Sequence, residues 1–150
     1  MVVRSKDIIE AIASHVGASG RFRGGVFIGE PLAPTSGLTA SVFNTSTSYA
    51  VDQPLSKSAE RRTYTVRISG HGANPRANIE FDLDDAVTET LENILGDLDL
   101  GSVTGVRGVD VSEIEVDWDW EPAGDGRGKG LRIADIRIPV IVDGSSTFAR

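Results

Sequence analysis

Apolar and acidic residues alternate through residues 113–121, which read E-I-E-V-D-W-D-W-E. Successive side chains of a β-strand point to opposite faces of a sheet, so this stretch predicts a strand with one apolar and one acidic face. Its apolar positions, Ile114, Val116, Trp118 and Trp120, are predicted to lie in the core. The carboxylates opposite them repel one another, which suggests a face that meets cations, a basic partner or water.

A second alternating stretch, residues 63–69, reads T-Y-T-V-R-I-S. It predicts a strand whose Tyr64, Val66 and Ile68 side chains point into the core. Residues 21–31 also predict a strand, although two adjacent glycines weaken it. The stretch from residue 32 to residue 62 has the least regular pattern and is interpreted as an irregular loop or arm, within which residues 38–43 could form a strand with Leu38, Ala40 and Val42 on one face.

The last strand is predicted over residues 131–143, antiparallel to residues 109–121 in a hairpin. Its apolar residues change phase between Ile133 and Ile136, which predicts a β-bulge near residues 134–135. Pro139 has no amide hydrogen for a strand ladder, so this strand is expected to lie at a sheet edge or to bulge there.

Helical periodicity occurs twice. Residues 5–16 place Ile8, Ile12 and Val16 on one face of a short helix. Residues 83–95 predict a longer helix capped by Asp82. The buried stripe of that helix is predicted to consist of Val87, Leu91, Ile94, Leu95 and Leu98.

The order of elements is a helix, several strands, a helix and two long strands. It predicts an α+β fold, an antiparallel sheet with two main helices packed on one face. The 150 residues fit a single domain, residues 1–150, with the arm at about 32–62 and a flexible C-terminal tail at 144–150.

Composition narrows the possible functions. The net charge is −7 and cysteine is absent, which argues against a nucleic-acid-binding domain and excludes disulfides, thiol catalysis and cysteine-ligated zinc. No apolar run is long enough to span a membrane, and no signal peptide is evident, so the chain is expected to stay in the cytoplasm where it is made.

No catalytic, metal-binding or cofactor-binding residues are predicted. His15 and His71 have no acidic neighbours at metal-ligand spacing. The aspartates near residues 97 and 117 lack the final glutamate of a calcium-binding EF-hand loop. The glycine-rich residues 124–130 resemble a phosphate-binding loop only superficially, because strands flank them and no Ser or Thr follows Lys129.

An interface is the alternative interpretation of the tryptophan strand. If the sheet face is incompletely covered, Trp118 and Trp120 would anchor a partner instead of lying in the core. The acidic face is expected to pair with Arg132 and Arg137 across the hairpin. The predicted subunit or partner interface consists of Arg61, Arg62, Glu115, Asp117, Asp119, Arg127 and Lys129.

The element layout resembles the tail terminator proteins of long-tailed bacteriophages. The similarity covers most of residues 3–143 and rests on R-R-T-Y-T-V-R-I-S-G, F-D-L-D-D-A-V-T-E-T-L-E-N-I-L and the closing strands I-E-V-D-W-D-W and R-I-A-D-I-R-I-P-V-I-V.

The resemblance implies a non-enzymatic virion protein, assembled in the host cytoplasm. It would cap the tail tube as a homohexameric ring, end tail polymerisation and join the head connector, with DNA only passing through the lumen. The alternatives are a neck or head-completion protein, a small cytoplasmic binding module and an enzyme of unrecognised type.

Overall fold

A computed structural model describes residues 3–29, 37–50, 59–72, 77–121 and 130–143. The predicted arm therefore falls only partly within the described residues, and the predicted tail at 144–150 falls outside them. In chain order the elements are α1 Ser5–Gly17, β1 Gly25–Ile28, β2 Thr39–Ala50, β3 Ala59–Gly72, α2 Ala77–Leu95, β4 Val106–Val109, a 3-10 turn Val111–Glu113, β5 Glu115–Glu121 and β6 Gly130–Asp143.

The strands of the described residues form one curled sheet in the order β1-β2-β3-β6. On its other side β6 pairs with β5 along one half and with β4 along the other. All neighbouring strands are antiparallel except β1 and β2, which run in the same direction. The predicted α+β class is confirmed, but the sheet is mixed and not purely antiparallel.

Both helices pack on the same face of the sheet. Ile8, Ile12 and Val16 of α1 are fully buried, as the periodicity predicts. The sheet residues beneath the helices include Tyr64, Val66, Ile68, Ala134, Ile136 and Ile138, all 0% exposed. Burial of these side chains, at about 1.5–3 kcal/mol for each large one, is the main force that holds the two layers together.

Helix α2 begins at Ala77, six residues before the predicted start, so Asp82 lies inside the helix and does not cap it. Its buried stripe also differs from the predicted one. Leu83, Ala86, Val87, Thr90 and Ile94 point into the core, whereas Leu95 and Leu98 are both 42% exposed. The buried positions repeat every three to four residues, and Leu95 is one residue beyond that stripe.

The stretch predicted to be irregular contains a long strand. Residues 39–50 form β2, and residues 59–62 open β3; residues 30–36 and 51–58 lie outside the described residues. Strand β2 is rich in Ser and Thr and shifts register between Asn44 and Ser46, so apolar alternation alone underestimates it. Its partner β3 supplies the pairing that the side-chain pattern does not reveal.

Strand β6 is neither at a sheet edge nor bulged. Its pairing with β3 runs without a register shift from Gly130 to Asp143, so Ile133 and Ile136 point to opposite faces. Pro139 is accommodated because its carbonyl accepts the amide of Asp110, at 2.9 Å, on the side of β4 and β5. The backbone nitrogen of Pro139, which carries no hydrogen, faces the same side, where the chain turns between β4 and β5.

The predicted strand 109–121 is interrupted. Strand β4 ends at Val109, the 3-10 turn occupies residues 111–113, and only residues 115–121 form β5. The hairpin of β5 and β6 is confirmed, with Val116 opposite Ile136 and Trp118 opposite Ala134.

Candidate interaction surface

Strand β5 lies at one edge of the sheet, and we call its side chains and outer edge the β5 surface. Within the described residues β5 pairs with β6 alone. A strand in this position presents backbone donors and acceptors to a partner, and proteins commonly guard such edges with charged side chains. The β5 surface therefore combines a sheet edge with the charge pattern that the sequence analysis singled out.

One side of the β5 surface is aromatic. Trp118 and Trp120 lie opposite Ala134 and Arg132, on the sheet face that carries the helices. The prediction that Trp118 lies in the core is wrong, because the helices do not cover this end of the sheet and 39% of the side chain is exposed. Ile114 and Val116, nearer the helices, are partly buried against the core.

Arg132 fixes the position of Trp118. Its guanidinium lies 5.3 Å from the centre of the Trp118 ring and forms an ion pair with Glu80 of α2, at 2.9 Å. It also donates to the carbonyl of Asp119, at 3.0 Å. The prediction that Arg132 neutralises the acidic face is therefore wrong, because the alternation places it on the aromatic side. The cation–π contact favours this orientation of the exposed indole.

The ring of Trp120 lies over Gly130. A Cβ atom at position 130 would come within 2.7 Å of the Trp120 ring and 2.9 Å of the carbonyl of Glu121. Only glycine leaves room for the indole in this position. Backbone and aromatic side chain are thus fitted to each other at the base of the hairpin.

The other side of the β5 surface is acidic. Arg137 of β6 pairs with Glu115, at 3.3 Å, and with Asp117, as the sequence predicts. Asp119 and Glu121 are exposed and have no ion-pair partner among the described residues. The acidic side therefore keeps an excess of negative charge toward the end of β5.

Further along the same face the charges are balanced. Arg67 of β3 forms a two-pronged ion pair with Asp135, at 2.9 and 3.1 Å. The same guanidinium lies 5.5 Å from the centre of the Phe43 ring. The charge excess is therefore local to β5 and does not extend across the sheet.

Two of the basic residues predicted at an interface lie within β3. Arg62 is 8% exposed, and its guanidinium binds Glu60 at 2.8 and 2.9 Å and the carbonyl of Val3 at 2.7 Å. A partner could not reach it without disrupting this network, so Arg62 belongs to the interior.

Arg61 forms an ion pair with Asp110, at 2.8 Å. Arg127 and Lys129 lie outside the described residues.

His15 joins the ends of the two helices. Its Nε2 atom lies 2.9 Å from Asp97 and its Nδ1 atom 2.6 Å from the carbonyl of Ala11. The bond from His15 lowers the pKa of Asp97, with help from Asp99 and the amide of Gly101. This pair stabilises the fold, while His71 is exposed on β3.

A cleft of about 460 Å³ lies between the start of β2 and the loop after α1, lined by Arg21, Arg23, Leu38 and Asp82. Nearby, Arg21 donates a hydrogen bond to the carboxylate of Glu89 at 2.7 Å. This bond lowers the pKa of Glu89. An ion pair of this kind explains the shift without a catalytic role.

No group of three or more His, Asp or Glu side chains within the described ranges is arranged to hold a metal ion. In the same ranges, no helix has the length and apolarity needed to cross a bilayer.

The chain matches no protein-family model. A comparison with curated proteins gives no match either.

The opposite edge of the sheet is formed by β1. Strand β1 pairs only with β2 in the described part of the chain, and its Phe27 and Ile28 side chains are 42% and 60% exposed. The signal was the short apolar run before Gly29. The strand itself was predicted within residues 21–31, but its exposure was not, because four residues are too few to distinguish a buried strand from an exposed edge.

Proposed function

We propose that this protein is a non-enzymatic assembly protein that caps the tail tube of a long-tailed bacteriophage as a homohexameric ring. The ring ends tail polymerisation and provides the joint to the head connector. DNA passes through its lumen without specific binding. The protein is then a virion component that is assembled in the host cytoplasm.

The β5 surface is the observation that carries this proposal. An exposed tryptophan that contacts Arg132 and a row of exposed carboxylates lie on opposite faces of a strand at a sheet edge. Aromatic residues fixed in one orientation are typical anchors of protein interfaces, because little side-chain entropy is lost on binding. Such a surface favours assembly over catalysis.

The layout of the chain also supports the proposal. The α+β class implied by the resemblance to tail terminators agrees with the observed sheet and its two helices. The net charge of −7 per subunit would make a ring strongly acidic, which disfavours adhesion of passing DNA.

The first experiment is native mass spectrometry combined with negative-stain imaging over a wide concentration range. Six-membered rings with a central hole are expected, either with the protein alone or after mixing with uncapped tail tubes. A ring that forms only on tubes still agrees with the proposal, because template binding adds to the closure energy. A protein that stays monomeric and leaves growing tubes uncapped would contradict it and favour a small binding module.

A further inference from the structure

We propose that the ring closes by joining the two edges of the sheet, with β1 of one subunit pairing with β5 of the next. This inference rests on the proposed ring function. It specifies that the partner of the β5 surface is a second copy of the same chain.

The topology places the two strands at opposite ends of the sheet. In the described residues β1 is paired with β2 alone and β5 with β6 alone. Contacts between two different patches on identical subunits can repeat around an axis and close into a ring. Strand addition at a sheet edge supplies the backbone hydrogen bonds for such a contact.

The strand directions predict how the two edges would meet. Strand β1 is parallel to β2, β2 is antiparallel to β3, β3 to β6, and β6 to β5. Strands β1 and β5 therefore run in opposite directions within one subunit. Rotation about an axis along the strands keeps both direction and face, so β1 would pair with the neighbouring β5 in an antiparallel manner.

The apolar side chains of the two edges lie on matching faces. Ile28 pairs with Val42, which points toward the helices, and Trp118 lies on that same face. Ile28 is 60% exposed and Trp118 is 39% exposed in the single subunit. In the joined sheet both would lie on one face, where burying them gives the contact its hydrophobic centre.

The charges match in the same arrangement. Arg23 is exposed just before β1 and has no ion pair within the described ranges. In an antiparallel pair the start of β1 lies beside the end of β5, where Asp119 and Glu121 carry the excess negative charge. Opposite charges at the rim of an interface guide partners into register.

The carboxylates also disfavour a competing assembly. Two copies joined β5 to β5 would bring Glu115, Asp117, Asp119 and Glu121 of each chain into one sheet. Like charges on neighbouring strands destabilise pairing. The acidic edge therefore disfavours a two-fold dimer and favours a dissimilar, less acidic edge such as β1.

Cross-linking tests the contact directly. The chain contains no cysteine, so Phe27→Cys and Asp117→Cys each introduce a unique thiol on the helix-free face. After the two single variants are mixed, a short thiol-specific cross-linker is expected to join them into heterodimers. The double variant is expected to give a ladder that ends at the hexamer. Phe81→Cys, on the exposed outer side of α2, replaces Phe27→Cys in the matched control.

Charge exchange provides an independent readout. Arg23→Glu should raise the protein concentration needed for ring formation by about tenfold or more, because it opposes like charges at the joint. Adding Asp119→Arg and Glu121→Arg to the same chain should restore rings. The melting temperatures of all variants, measured in parallel, separate a lost contact from a lost fold.

The outcomes separate this inference from the proposed function. Rings that form normally in the Arg23→Glu variant, with cross-linking no stronger than in the Phe81→Cys control, would overturn the β1–β5 contact and leave the ring intact. A wild-type protein that neither forms rings nor caps tubes would overturn the proposed function and the contact together.

Discussion

The centre of the sheet and its β5 end carry the same alternation but differ in burial. Val66 and Ile136 in the centre are 0% exposed, while Trp118 at the edge is 39% exposed, although all three point to the helix-bearing face. The difference lies in the helices, which pack over β2, β3 and β6 and stop short of the β5 end. Alternation thus identifies the sheet face to which a side chain points, and the helix layer determines whether that face is buried.

The first prediction tests this difference with the same substitution in both regions. Val66→Asp places an unpaired charge in the core and should destabilise the domain by more than about 4 kcal/mol, much of its total stability. Trp118→Asp should destabilise it by no more than about 2 kcal/mol, because the new carboxylate stays hydrated. Thermal and urea unfolding followed by circular dichroism would measure both. Equal losses would mean that the β5 end is as covered as the centre.

The second prediction compares a buried ion pair with an exposed one. Arg62→Met leaves Glu60 buried without its partner and should destabilise the protein by about 3–5 kcal/mol. Arg137→Met, which frees Glu115 and Asp117 at the surface, should change stability by about 0–1 kcal/mol.

Replacing both members of the buried pair, as Glu60→Leu with Arg62→Met, serves as the control and should recover most of the lost stability. Urea denaturation of the three variants supplies the free energies. A double variant as unstable as Arg62→Met alone would show that the damage comes from the lost bonds to Val3 and Ser5.

The third prediction concerns the fit of Trp120 to the hairpin. Gly130→Ala should displace the indole and destabilise the protein by about 1–3 kcal/mol. Its tryptophan fluorescence should also shift, because the ring environment changes. Gly17→Ala is the matched control, since its new methyl group would meet only Val26, at 4.0 Å. A Gly130→Ala protein with unchanged stability and emission would show that Trp120 does not depend on the glycine.

The fourth and smallest effect concerns the contact between His15 and Asp97 at the ends of the two helices. Because the pKa of Asp97 is lowered in the folded state, its contribution is present at neutral pH and lost as the pH falls through that lowered pKa. The stability difference between wild type and Asp97→Asn should therefore shrink on acidification. Melting temperatures from neutral to acid pH would show it, with the exposed Asp84→Asn as control. A difference that stays constant with pH would mean that the carboxylate does not bind His15 as an anion.

Periodicity in the sequence determined the positions of the main elements. The spacing of Ile8, Ile12 and Val16 places α1 correctly, and the alternation around Tyr64 and Val66 places the centre of β3. These patterns work because a helix buried on one side and a strand buried on one face require apolar residues at fixed intervals. The class of fold follows from their order.

The exposure of these residues and the contacts between polar groups follow from the three-dimensional fold and not from local patterns. Arg62 is buried because Glu60, Val3 and Ser5 surround it, and His15 near the end of α1 pairs with Asp97 just after the end of α2. Sequence neighbours do not reveal such contacts, which join residues up to 82 positions apart.

The same limit applies to the candidate site. The acidic and aromatic faces of β5 can be read from the chain alone, because they follow from a two-residue repeat. Its place at a sheet edge, opposite an edge with exposed Phe27 and Ile28, depends on strand order. Strand order is set by long-range pairing, and the exposure of an edge is set by how far the helices extend over the sheet. Neither leaves a local pattern in the chain.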